Sequence, residues 1–334
     1  MKTRQDDFDV VALTTALGQG TMRLGQRKQR STRSGWRRRA LKKSWPLYVM
    51  MLPPLVFLAI FNFWPILGAQ IAFRNYNPIG GIWGSPWVGL EKFQQWVSNP
   101  QFFSIMSNTL VLSFYQLIVS TLVAILLALS LNEVRTRWFK KFIQTVTYFP
   151  YFISLIVLVG MMQLILSPDN GPISYLLAGM GIHMPDVFAN AGAFRNLYVW
   201  SGVWQTTGYG AIIFLGVLSS VSPSLYEAAK LDGATLLQKV RHVDLPAIRP
   251  TIVILVILDI GNLLQVGFEK VFLLQNPLNL DTSQVISTYV YQTGLVSGDF
   301  SYGAAVGLFN SSISLILIIV ANFLARRFAD TSLF

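Results

Sequence analysis

Residues 226–250 read YEAAKLDGATLLQKVRHVDLPAIRP. Polar residues here sit between two segments apolar enough to dissolve in lipid, yet the stretch has none of the looseness of a linker. Ser224-Leu-Tyr-Glu227 has the spacing of a capping box, with Ser224 at the N-cap, Glu227 reaching back, and Pro223 discouraging an earlier start. A short helix over 226–231 follows. Asp232-Gly233 interrupts it, since glycine adopts the backbone angles of a sharp turn. A second short helix, from Ala234 to about His242, is expected to end before Leu245-Pro246, and Leu236, Leu237 and Val240 give it an apolar face. The segment therefore reads as a rigid helix–turn–helix loop.

Its neighbours decide the fold class. The chain of 334 residues is 53% hydrophobic and only 12% charged, with mean hydropathy +0.49, where soluble domains carry roughly 25% charged residues. Six apolar stretches approach the roughly 20 residues that cross a bilayer: 47–72, 106–131, 142–166, 197–220, 250–275 and 302–325. The expected architecture is an all-α membrane protein. Residues 1–46 form a basic arm, 47–325 a six-helix transmembrane domain containing the 221–249 loop, and 326–334 a short tail. Pro53-Pro54 and Pro65 are expected to kink or break the first span.

Basic residues fix the orientation. Of the 26 lysines and arginines, 12 lie in 1–46, four in 132–141, four in 221–249 and two in the tail. The remaining loops hold only Arg74, Lys92 and Arg195, and Lys270 falls within a span. The positive-inside bias places both termini and the quoted loop in the cytoplasm. The net charge of +11 is thus mostly a topology signal, suited to anionic lipid headgroups and not to nucleic acid. The N-terminus lacks the apolar core and small-residue cleavage site of a signal peptide. On the opposite side, loop 73–105 is rich in Gly, Pro and Trp, and loop 167–196 contains the turn cluster SPDNGPIS. They are either connectors or a docking face for an extracytoplasmic partner.

Several chemistries have no support in the residues. There is no cysteine, hence no thiolate or Cys-ligated metal, and His183 and His242 fall on different sides of the membrane. The nearest approach to a phosphate loop, Gly20 to Gly25, lacks the Lys-[Ser/Thr] pair. No H-E-x-x-H or G-x-S-x-G occurs. The chain is expected to have no catalytic residue, no metal site and no bound cofactor. The informative polar residues lie in the fifth span, TIVILVILDIGNLLQVGFEKVFLL: at helical pitch Asp259, Asn262, Gln265, Glu269 and Lys270 share an arc of about 140°. Ionisable groups in lipid cost about 2.5–3.5 kcal/mol or more near the bilayer centre, so this face must meet protein or water. It either lines a translocation pathway or bonds helices together. Gln205-Thr206-Thr207 and Asn310-Ser311-Ser312 are weaker candidates of the same kind.

Glu227-Ala228-Ala229, then Gly233, then Val243-Asp244-Leu245-Pro246 resembles the "EAA" loop of the inner-membrane permeases of binding-protein-dependent ATP-binding-cassette importers. Asp244 is more polar than that pattern leads one to expect. FEKVFLLQNPLNLDTSQVISTYVYQTGL and YGAAVGLFNS resemble the LplB-like sugar branch, which is associated with oligo- and polysaccharide uptake and includes an alginate importer. The resemblance implies a type I importer permease fold of six spans in the bacterial inner membrane. It implies that Glu227, Ala228, Ala229, Asp232, Gly233, Leu245 and Pro246 form a coupling loop against an ATPase subunit. Asp259, Asn262, Gln265, Glu269, Gln205 and Asn310 are then the substrate-pathway candidates. The implied partners are a second permease chain, two ATPase subunits holding ATP and Mg, and an extracytoplasmic solute-binding protein. The competing reading is a secondary transporter working alone, with Asp259 as its ion or proton relay; an internal inverted repeat would favour it, and none is visible.

Because the chain has no cysteine, its orientation is open to single-cysteine labelling. A cysteine at Lys230 is expected to react with a membrane-impermeant maleimide only after the cell is opened, and one at Trp83 in intact spheroplasts. The reverse pattern would overturn the assigned topology.

Overall fold

Long apolar windows become helices because lipid offers no partner to a backbone amide or carbonyl, so each span must satisfy its own hydrogen bonds. The computed structural model describes residues 33–329. The far N-terminal arm and the last five residues lie outside them. Among the described residues the regular structure is helical, with two isolated bridges, Arg74 with Trp87 and Asn77 with Gly81. Three stretches are long and apolar enough to cross a membrane, or up to five if two bent helix pairs each count as one.

The chain divides into two units at Pro65. In the first, α1 (Arg33–Leu58) carries Pro46, Pro53 and Pro54 inside it and runs into a π turn, Ala59–Phe63. The expected break at Pro53-Pro54 does not occur. Each proline costs one backbone hydrogen bond, which a helix can lose without ending, and the irregular winding comes later, around Pro65.

A 3-10 run, Trp64–Phe73, spans the division, so that the second unit begins within it at Ile66. It continues with α2 (Glu91–Val97), α3 (Phe102–Glu133), α4 (Arg137–Tyr148), α5 (Leu155–Ile165), α6 (Pro172–Gly179) and α7 (Ala191–Ser219). Asn190 caps α7, its Oδ1 accepting from the Gly192 and Ala193 amides at 2.8 and 3.3 Å, as a short side-chain acceptor does at a helix start. After α7 come α8 (Pro223–Leu231), α9 (Leu236–Lys239), α10 (Leu245–Gly261), α11 (Phe268–Leu274), α12 (Ile286–Val290) and α13 (Phe300–Ala329).

The expected second, fourth and sixth spans coincide with α3, α7 and α13. The third does not form one rod, because α4 and its 3-10 extension meet α5 at 101° across Ile153-Ser154. Ser154 starts α5 as its N-cap, its hydroxyl accepting from the Val157 amide. The fifth is also interrupted: α10 ends at Gly261 and α11 begins only at Phe268. A single helical wheel across 250–275 is therefore wrong.

The helix pair α3–α7 makes the most extensive contact in the unit. One apolar core joins Leu112, Val159, Tyr198, Val203, Val266 and Val271 around the α10–α11 break. A second joins Ala124, Ala128, Ala211, Phe214 and Ile248 nearer the 221–249 loop. A third, at the other end, packs Trp96 against Tyr289 and Tyr302, with Asn99 Nδ2 donating to the Tyr289 hydroxyl at 2.8 Å. There the segment after α11 is tied inward: Asn276 and Asn279 both donate to the Phe188 carbonyl, and Asn108 to that of Asp281.

Small residues set how near the helices come. A Cβ built on Gly208 of α7 would lie 2.0 Å from the Thr147 carbonyl oxygen of α4, whereas one on Gly216, two turns later, meets nothing within 4 Å. Gly208→Ala is expected to cost about 1–3 kcal/mol or more, since backbone must move. Gly216→Ala should be neutral or gain up to about 1 kcal/mol of helix propensity. Thermal unfolding midpoints of the two variants in detergent check this pair, and equal midpoints would contradict the close α4–α7 contact.

Candidate functional site

Two places gather the residues that composition and motif single out. The first is the 221–249 loop. The helix α8 starts at Pro223, with Ser222 at its N-cap, so the capping box expected at Ser224 and Glu227 is not made. Proline suits the first helical position, where its missing N–H would be unpaired anyway, and the Ser224 hydroxyl pairs with that of Ser222 at 2.8 Å. The reciprocal box occurs one helix later: Gln238 Oε1 accepts from the Thr235 amide at 2.7 Å, and Thr235 Oγ1 from the Gln238 amide at 3.4 Å.

Between the two helices the turn closes in a way that explains the spacing of the alanines and the glycine. The Gly233 amide donates to Lys230 O at 3.2 Å and the Ala234 amide to Ala229 O at 2.9 Å. Gly233 has φ +68°. This is a Schellman closure, in which a left-handed residue just past the helix lets two amides fold back on the last carbonyls. Ala229 supplies the far acceptor, and Asp232 is the C-cap. Glu227 and Ala228 are exposed, and among the described residues the Glu227 side chain makes no hydrogen bond or ion pair. The apolar tip stands out: Leu231 is 88% exposed and Leu237 76%.

The expected end of the second helix before Leu245-Pro246 is not seen. After α9 the chain makes a π turn, Val240–Asp244, and enters α10 without a break. Pro246 is accommodated in the first turn of that helix, where no amide donor is required of it. Asp244, the polar departure within the motif, is 0% exposed. Its Oδ1 accepts from the Tyr226 hydroxyl at 2.7 Å, while its Oδ2 has no partner. Lys239 forms an ion pair with Glu133 at the end of α3, and its Nζ lies 5.4 Å from the centre of the Tyr226 ring. Burial pushes the Asp244 carboxyl above the usual carboxylate range, against the Tyr226 hydrogen bond and the nearby Lys239 charge, which pull it down. Burial, then donation to Asp244, pushes the Tyr226 phenol up to about 12. Asn132, Glu133, Tyr226, Lys230 and Lys239 enclose a hollow of about 590 Å³ between α3 and the loop.

The second place is the interior around the α10–α11 break. Freed backbone groups find partners there: Asn310 Nδ2 donates to Leu264 O at 3.2 Å and the Ser287 hydroxyl to Val266 O at 3.2 Å. The five polar residues once placed on one helical face are split between two hollows. Asp259, Asn262 and Gln265 line one of about 220 Å³ with Ser113 and Ser120. Glu269 and Lys270 line another of about 560 Å³ with Gln205 and Phe268. Gln116, Tyr198 and Gly267 belong to both. Gln205 Nε2 donates to Ile153 O at 2.9 Å, so that candidate also braces the α4–α5 bend. Asn310 is a brace for the break and lines neither hollow. Gln116, absent from the expected set, is the residue of α3 that faces both; an amide in the middle of a span of high hydropathy was the available signal. Lys270 is buried, with its Nζ on Tyr198 O at 2.7 Å.

Comparison with known proteins places this geometry. Residues 120–330 match the family model described as binding-protein-dependent transport system inner membrane component. The chain is 43% identical to the polygalacturonan/rhamnogalacturonan transport system permease protein YteP of Bacillus subtilis (strain 168), over 86% of this chain and 90% of that one. It is 40% identical to Protein LplB of the same organism, over 88% and 93%. Among solved structures it resembles a chain of a bacterial alginate ABC transporter in complex with an alginate pentasaccharide-bound periplasmic protein. That match has TM-score 0.82 and 34% identity, covering 88% of this chain and 99% of that one. With the family match covering well over half its length, the chain belongs to the binding-protein-dependent transport system inner membrane components, and is a multi-pass transport permease, not an enzyme.

Proposed function

We propose that this permease passes an oligosaccharide or polysaccharide fragment, of the acidic kind named for its relatives, from a solute-binding protein into the cytoplasm. The work is supplied by ATP hydrolysed, with Mg, in two separate ATPase subunits. A second permease chain completes the pathway. In this reading six segments cross the membrane and both termini are cytoplasmic.

The observation that carries the reading is the construction of the 223–245 loop. It is closed at Gly233, capped at Thr235 and tied to α3 through Lys239–Glu133 and to its own far end through Tyr226–Asp244. A segment so braced transmits a push instead of absorbing it. Its exposed tip, Leu231 and Leu237, offers an apolar contact to the ATPase, with Glu227 and Asp232 beside it. Force applied there enters α3 at Glu133 and α10 at Leu245, and both helices line the hollow holding Asp259. The coupling residues are Glu227, Ala228, Ala229, Asp232, Gly233, Leu245 and Pro246. The pathway residues are Asp259, Asn262, Gln265, Glu269 and Gln205, with Gln116 added and Asn310 in support.

The stand-alone transporter reading draws less support. A proton relay needs a chain of titratable groups, and the hollow beside Asp259 holds no second carboxylate, histidine or lysine among its lining residues.

Substitution within the loop tests the coupling. Gly233→Val forces a branched residue into left-handed backbone, at a cost of about 1–2 kcal/mol or more, and is expected to abolish ATP-driven uptake in vesicles while membrane insertion persists. Glu227→Ala is expected to lower uptake about tenfold by removing one charge-assisted contact. If both variants keep wild-type uptake and still copurify with the ATPase, the loop is not the coupling element.

A further inference from the structure

The hollow of about 560 Å³ beside the α10–α11 break contains a cation that the transport reading alone leaves unexplained. Lys270 is 6% exposed in a segment that the hydropathy assigns to the membrane. Its ammonium lies 2.7 Å from the Tyr198 carbonyl oxygen and 4.6 Å from the centre of the Tyr198 ring. Among the described residues no carboxylate comes within ion-pair distance of it, the only such pairs being Lys92–Asp299 and Lys239–Glu133. One carbonyl and one ring face leave part of a three-donor ammonium unmatched. Beside it the Gln116 Oε1 atom is buried without a partner.

The backbone is shaped around these two side-chain tips. A Cβ on Gly202 of α7 would lie 2.9 Å from Gln116 Oε1, 3.0 Å from Lys270 Nζ and 3.1 Å from Gln116 Nε2. Three helices therefore bring an ammonium and an amide to one point: α3 by Gln116, α11 by Lys270, and α7 by having no side chain there. Both line the hollow of about 560 Å³. A cation within the membrane domain faces a cavity or a partner of opposite charge, and here a cavity is what adjoins it.

We propose that this hollow is a transit subsite for the carboxylate of an acidic sugar unit, with Lys270 supplying the charge and Gln116 Nε2 donating a hydrogen bond, while Gln116 Oε1 accepts from a neighbouring sugar hydroxyl. The proposal rests on the saccharide-import reading and narrows it to uronic-acid substrates. Glu269, lining the same hollow, repels a second carboxylate, so the acid group is held at the Lys270 wall. Glu269 is left to accept from sugar hydroxyls, and so is Gln205, whose amide nitrogen is already committed to Ile153 O. Such a site needs to be strong enough to admit the acid and weak enough to release it, and a single ammonium with one amide meets both demands better than a bidentate arginine.

The test uses the complete transporter with its binding protein in liposomes, supplied with labelled trigalacturonate or its methyl ester, which keeps the shape and removes the charge. Lys270→Gln retains a donor for the Tyr198 carbonyl. It is expected to lower uptake of the acid about tenfold relative to wild type, the worth of one charged hydrogen bond, and uptake of the ester less than about twofold. Lys270→Arg, which keeps the charge, should recover part of the acid uptake. If Lys270→Gln fails to assemble with its partner chains, Gln116→Leu carries the same comparison, with a smaller loss confined to the acid. Equal loss for both sugars would overturn the proposal, since a purely structural lysine, or one paired with a carboxylate of the second permease, affects them alike. Unchanged acid uptake would overturn it as well, and in both cases saccharide import would stand. A wild-type transporter that carries neither sugar would remove the import reading, and this subsite with it.

Discussion

An interrupted helix in hydrocarbon must have its freed carbonyls hydrogen-bonded by protein, and much of the second unit is arranged to meet that demand at one place. Between Gly261 and Phe268 the chain leaves helical geometry. Leu263, Leu264 and Val266 are buried, Val266 within the core that also holds Leu112 of α3 and Val199 of α7. The Leu264 and Val266 carbonyls are met by Asn310 from α13 and by Ser287 from the segment before it. Once the break is clothed in this way, two hollows lined in part by polar side chains lie beside it.

The same logic operates at the loop end, with charge in place of backbone. Asp244 is wholly buried where the loop meets α10, and a buried carboxylate is tolerated only with donors in place. Tyr226 supplies one, from the residue just before the Glu-Ala-Ala triplet. The tie therefore joins the first turn of the 223–245 loop to its last, and Lys239–Glu133 joins the middle to α3. Rigidity of the loop follows from these contacts together with the Schellman closure at Gly233. Breaking one leaves either a carboxylate or an ammonium without its partner, so the loop has few alternative arrangements of comparable energy.

Much of this was legible in the residues. The spans at 106–131, 197–220 and 302–325 followed from apolar windows, and Gly233 from the turn chemistry of glycine after a short helix. The family was carried by the spacing of Glu227, Ala228, Ala229, Gly233, Leu245 and Pro246. What was not legible depends on tertiary contact. The helical wheel through Asp259 and Lys270 assumed a continuous helix, although Gly261 and Gly267 flank the stretch that breaks. Ser224 and Glu227 had the capping-box spacing, but Pro223 fits the first helical position, and the equivalent Thr235 and Gln238 formed the box instead. Gln116 was lost in an apolar helix because its importance comes from what α7 and α11 place opposite it. Asp244 looked like a blemish in the motif, and only packing reveals it as an anchor.

The central claim is that the 223–245 loop receives mechanical work from a separate ATPase. It is tested most directly by a photo-crosslinker attached to Leu231→Cys, the sole cysteine of the chain, in the transporter purified with its co-expressed neighbours. The account predicts a covalent adduct with the ATP-hydrolysing subunit, and none from the same reagent on Leu176→Cys in α6. An adduct with lipid or the second permease alone, or no adduct, would contradict it.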